Sequence, residues 1–107
     1  MIFEVGDLDG MVSVSDIVPK LHGNIHFIFF DRKLRGKEQV LTGIMKHVFE
    51  AVGLRRINGV IPADRVTGMS MLRRIGFTRE GKMRFAHLMN GKYIDQYIYG
   101  ILREEVL

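Results

Sequence analysis

The sequence predicts an α/β (α+β) fold, a mixed and largely antiparallel sheet of about six or seven strands carrying two main helices. Three observations predict it. The run from Asn24 to Phe30 is apolar and β-prone on both faces, as a central strand must be. From Glu38 the period changes, and apolar residues recur at spacings of three and four as far as Val52. Near the end, two β-prone runs flank Asn90-Gly91, a pair that supplies the positive φ angles of a type I′ turn.

In chain order, Met1 to Val5 reads as a first strand and Gly6-Asp7-Leu8-Asp9-Gly10 as a turn. Met11 to Val18 alternates Val12 and Val14 against Ser13 and Ser15, so the chain opens with a hairpin. Past Pro19 and Gly23, the central strand sets Ile25, Phe27 and Phe29 opposite His26, Ile28 and Phe30. Val40, Leu41, Ile44, Met45, Val48, Phe49 and Val52 form one helical stripe, which Gly53 stops. Arg55 to Ile61 is a strand closed by Pro62, and Asp64 or Thr67 offers the N-cap of a helix carrying Val66, Met69, Leu72 and Ile75 to Gly76. Lys82 to Met89 and Lys92 to Leu102 then form the last hairpin. A regular two-residue loop sets Met89 opposite Lys92 and Arg84 opposite Tyr97. It also makes Arg84 and Asp95 diagonal neighbours, an ion pair contributing about 0.2–1 kcal/mol. Tyr93, Tyr97 and Tyr99 share one face of the last strand, where their rings cover the sheet.

With 107 residues and no repeat or linker-like tract, the chain has room for one core, and 1–107 reads as a single domain. The absence of cysteine excludes a disulfide framework, thiolate catalysis and cysteine-ligated metals, and it suits a reducing compartment. Met1 to Val5 carries Glu4 and no leader-like pattern, and no uncharged stretch approaches the roughly 18 apolar residues of a membrane span. A soluble cytoplasmic protein with no membrane partner is the expectation.

The formal charge of +4 arises from interspersed residues of both signs, so location matters more than the sum. The densest basic stretch, Arg32, Lys33, Arg35 and Lys37, falls between a strand and a helix, where a phosphate would meet both side chains and helix-start amides. Arg55, Arg56, Arg73 and Arg74 read as solvated faces, so nucleic acid is not the expected partner. His22, His26, His47 and His87 share no metal-ligand spacing, and no metal is expected. Ser13, Ser15 and Ser70 lie outside any Gly-x-Ser-x-Gly elbow, and no Walker or dinucleotide glycine signature is present. Serine hydrolysis and nucleotide triphosphate chemistry are thereby set aside.

Several landmarks occur in a telling order: Ile25 to Phe30, Arg35-Gly36-Lys37, Phe49 to Ile57, Ile75 to Gly81, and Gly91 to Asp95. From Asn24 to Leu107 the chain resembles the GNAT acetyltransferases, especially the branch acting on ribosomal-protein amino termini. The resemblance implies a GNAT-like domain lacking the usual first strand and two helices, with the strand from Asn24 to Phe30 diverging from the strand at Arg55 to Ile61 to leave a cofactor cleft. It implies acetyl-coenzyme A as cofactor, an amine as acceptor, pantetheine along Ile28, Phe29 and Phe30, and phosphates at Arg35, Gly36 and Lys37. The family turn continues Arg-x-x-Gly-x-Gly or Ala, whereas here Glu38 follows Lys37. A carboxylate at a helix start gains from the same partial positive charge that would hold a phosphate, and so competes with it. Where relatives place asparagine, serine and a tyrosine acid, this chain has Arg65, Gly68 and Leu72, leaving His26 on the central strand as the candidate base. A missing first strand and helices further imply self-association into a homo-oligomer. The ending Tyr97 to Glu105 also resembles small GNAT-like head-assembly proteins of tailed phages, which implies the alternative of an inert structural protein in the virion or host cytoplasm.

Overall fold

A computed structural model describes residues 2–5, 10–29 and 37–107, with only the backbone course at 2–5, 10–12 and 26–29. The elements are β1 (Ile2–Val5), β2 (Gly10–Val18), β3 (His22–Phe29), α1 (Glu38–Val52), β4 (Arg56–Pro62), α2 (Val66–Arg74), β5 (Thr78–Met89), β6 (Lys92–Leu102) and α3 (Arg103–Val106). They build a six-stranded sheet in the order β1-β2-β3-β4-β6-β5. The β3–β4 pair is parallel, and the other neighbours are antiparallel. A parallel pair needs a crossover, and α1 supplies it.

Most of the helical stripe read from the sequence packs, with Ile44 and Val52 half-buried at its margin, while Val40 is 43% exposed. Leu41, Met45, Val48 and Phe49 are all fully buried, each contributing about 1.5–3 kcal/mol by leaving water. That packing, more than propensity, holds a 15-residue helix that would be marginal alone. Gly53 closes α1 at φ 70, and its amide donates to the Phe49 carbonyl. Beneath the helices, register places Val14 opposite Ile25, Gly23 opposite Ile57 and Ile57 opposite Ile101, so these residues share one buried face. Met71 and Leu72 of α2, with Ile75, Phe77 and Tyr99, complete the core.

The opposite face carries a polar belt. Asn24 donates to Asp16 (3.1 Å), Asn58 donates to Asn24 (3.2 Å) and Arg56 Nε donates to Asn58 (2.7 Å). The Arg56 guanidinium then pairs with Glu80. Glu80 is the extra residue of a bulge between Arg79 and Gly81, which lets its carboxylate meet Arg56 over Gly100.

Three expectations are corrected. α2 begins after Arg65, which occupies its N-cap, so neither Asp64 nor Thr67 caps it. β5 starts at Thr78 rather than Lys82. The last hairpin turns at Asn90 (φ 50) and Gly91 (φ 77) with Met89 opposite Lys92, as a type I′ turn requires, but its register then shifts between Met83 and His87. Lys82, rather than Arg84, faces Tyr97. Asp95 accepts from the Phe85 amide at 3.0 Å and faces Lys82 Nζ at 3.9 Å, so the cross-strand cation is Lys82. The cause is Phe85, whose φ of 52 throws the strand into a bulge that no alternation pattern encodes. Of the three tyrosines, Tyr99 is buried and Tyr97 half-buried, while Tyr93 is 63% exposed near the hairpin tip, beyond the end of β4. The expected turn at 6–9 lies outside the described residues.

Candidate functional site

The parallel pairing of β3 with β4 runs through His22–Arg56, Gly23–Ile57, Asn24–Asn58 and Ile25–Gly59, and there it ends. Both strands continue, β3 to Phe29 and β4 to Pro62, but each keeps only its outer neighbour. Residues 26–29 stay paired with β2, and residues 60–62 with β6. The sheet therefore forks after Ile25 and Gly59, as expected from the sequence resemblance. Backbone amides and carbonyls that would have joined the two strands face the gap, and an extended ligand bearing amides could use them.

Two devices hold the fork where it is. On the polar face, the Asn58–Asn24 hydrogen bond ties the strands together one rung before they part. On the core face, a Cβ on Gly59 would stand 3.4 Å from Ile25 Cγ2 and 4.0 Å from Leu72 Cδ1 and Phe77 Cε2. A glycine thus leaves room for Ile25 at the last rung.

Among the expected site residues, His26 is the first β3 residue past the fork and stands opposite Ser13 of β2. Ile28 and Phe29 follow it, opposite Met11 and Gly10. The side chains of these three, and all of Phe30, Arg35 and Gly36, lie outside the described residues. Lys37 is the N-cap of α1 at φ −98, ψ 5. Lysine has no acceptor oxygen, so it leaves the first-turn amides to other acceptors. Glu38 opens the helix, and Arg74 Nη1 donates to its Oε1 at 3.3 Å.

α2 covers the β4 side of the fork. Its Gly68 fits close to β4, because a Cβ there would press to 2.5 Å on Ile61 Cδ1. Leu72 is only 2% exposed and offers no proton. One group went unread in the sequence: the Arg79 guanidinium lies 3.9 Å from the Tyr97 ring centroid, and its Nε donates to the Tyr99 hydroxyl at 3.2 Å. Tyr97 stands opposite Ile61, beside the far half of the fork. The only sequence signal for this group was Tyr97 and Tyr99 at alternating positions; Arg79 comes from another strand. Among the described residues, no group of three or more His, Cys, Asp or Glu is placed to hold a metal ion, and no helix is long and apolar enough to cross a membrane.

Residues 1–98 match the family model described as an acetyltransferase (GNAT) domain. An uncharacterized N-acetyltransferase, YoaA of Bacillus subtilis, is 31% identical over 65 residues, which are 61% of this chain and 37% of that protein. Solved structures share the fold. An acetyltransferase of the GNAT family from Bacillus anthracis superposes with a TM-score of 0.79 at 21% identity, covering 92% of this chain and 60% of its own. A mutant of the spermidine N-acetyltransferase SpeG from Vibrio cholerae gives 0.84 at 19%, covering 99% and 66%. The ribosomal-protein-S5-alanine acetyltransferase from Vibrio fischeri gives 0.76 at 22%, covering 92% and 56%. The chain thus spans about a third of the curated relative and under two thirds of these structures.

Proposed function

The chain belongs to the GNAT acetyltransferase family, and on that premise we propose that it binds acetyl-coenzyme A in the fork between β3 and β4 and passes the acetyl group to an amine. The observation that carries the reading is the parting of the only parallel pair in the described sheet immediately after Ile25 and Gly59. Ligands of sheets with parallel strands settle where neighbouring strands separate at their carboxyl ends. α1 starts one short connection beyond the open end of β3, so strand edge and helix start serve one elongated, anionic ligand.

Bound there, acetyl-coenzyme A supplies a thioester carbonyl for attack by the amine. Backbone groups around Ile28, Phe29 and Phe30 would hold the pantetheine by hydrogen bonds, and Arg35, Gly36 and Lys37 would hold the phosphates. An amine must be neutral to attack, and His26, first past the fork, is the residue to take its proton. A strand amide freed by the fork is suited to the developing oxyanion. Leu72 cannot return a proton to the departing thiolate, so that proton comes from water or from a hydroxyl such as that of Tyr97. Glu38, at the start of α1, opposes an anionic ligand, and its pairing with Arg74 offsets its charge.

The test is calorimetry with acetyl-coenzyme A, followed by acetyl transfer to spermidine and to a peptide with amino-terminal alanine. Saturable binding with transfer to an amine supports the reading. Catalysis falling at least about 100-fold in His26→Ala, with binding retained, assigns the base. Absence of cofactor binding overturns the proposal.

A further inference from the structure

Arg74 closes α2 and Glu38 opens α1, yet the two meet across 36 positions of sequence, Nη1 to Oε1 at 3.3 Å. Each is placed favourably on its own helix, a cation at a C-terminus and a carboxylate at an N-terminus. The pair is open to water, with side chains 61% and 35% exposed, so it is weak and exchanges readily. An arginine in this position has an unusual choice of partners. Glu38 offers one negative charge, whereas a pyrophosphate at the start of α1 would offer more charge and oxygens spaced for the two-pronged guanidinium.

Resting on the acetyl-coenzyme A reading above, we propose that Arg74 is a phosphate-binding arginine held by Glu38, and that the pyrophosphate takes it over as it seats at the start of α1. Glu38 then acts as a latch. It occupies the arginine while the site is empty and sets the affinity by how firmly it competes. Arg73 is the natural control, because it sits next door on the last turn of α2, carries the same charge and is likewise exposed, without the contact to Glu38.

The experiment is calorimetry of coenzyme A on the 107-residue chain, on Arg74→Ala, Arg73→Ala, Glu38→Gln and the Glu38→Gln/Arg74→Ala double variant. Circular dichroism serves as the fold check. Arg74→Ala is expected to weaken binding about tenfold and Arg73→Ala less than about twofold. Glu38→Gln is expected to tighten binding about tenfold when Arg74 is present and only about threefold when Arg74 is absent, since removing the carboxylate then relieves its repulsion of the phosphate but releases no arginine. The loss in Arg74→Ala persists with dephospho-coenzyme A, which keeps the pyrophosphate and lacks the 3′-phosphate. Equal losses at Arg73 and Arg74, additive effects of Glu38 and Arg74, or a loss that vanishes with dephospho-coenzyme A would each overturn the latch while leaving the cofactor reading standing. No binding by the parent chain overturns both.

Discussion

Ile25 and Gly59 face each other across the last rung that β3 and β4 share, with Ile25 Cγ2 3.4 Å from where a Gly59 Cβ would lie. The rung is therefore as full as it can be without strain. Gly59→Ala should be tolerated with less than about 1 kcal/mol of loss, while Gly59→Val, with two further methyl groups between Ile25, Leu72 and Phe77, should cost about 1–3 kcal/mol by overpacking. Urea denaturation of the two variants measures the difference. A valine variant as stable as the parent would mean that the strands part with room to spare.

The Arg56–Glu80 pair passes over Gly100, where a Cβ would stand 2.8 Å from Glu80 Cδ. The neighbours there are the ends of two long side chains, so Gly100→Ala should break the pair rather than bend β6. The expected cost is about 1 kcal/mol, with both partners about one-third exposed. In a Glu80→Ala background the same substitution should cost distinctly less, because there is no pair left to break and Arg56, no longer held over Gly100, is free to swing aside. Additive losses in the double variant would place the penalty in the backbone.

Asp95 holds the bulge of the last hairpin by accepting from the amide of Phe85, a residue with left-handed backbone and a 71% exposed ring. Asp95→Ala removes that acceptor and should cost about 1 kcal/mol. Amide exchange gives the sharper measurement: protection of the Phe85 amide should drop while that of core amides such as Ile57 falls only by the global loss. If Phe85 keeps its protection, the bulge is held by the ladder around it.

Leu72 lies beneath the fork, fully packed and 2% exposed. Leu72→Ala should cost about 2–5 kcal/mol, and Leu72→Met less than about 1.5 kcal/mol. Thermal unfolding of both decides this. A small loss at alanine would show that the neighbourhood of Gly59 and Phe77 can collapse into the space.

What the sequence determined by itself are the features that neighbours along the chain decide. The α1 stripe from Leu41 to Phe49, its stop at Gly53 and the turn at Asn90-Gly91 rest on period and local φ preference, and they stand as read. The order of landmarks pointed to the family, and with it to a fork beside the central strand. Tertiary structure alone decided where that fork begins, because the Ile25–Gly59 rung and the Asn58–Asn24 bond join residues 34 positions apart. It decided too that Arg74 answers Glu38, that Arg79 lies on Tyr97, and that Lys82 displaces Arg84 beside Asp95. Each of these depends on strand register or on the packing of one helix end against another. A single bulge, such as the one at Phe85, shifts every later pairing without changing the residue pattern from which a register would be inferred.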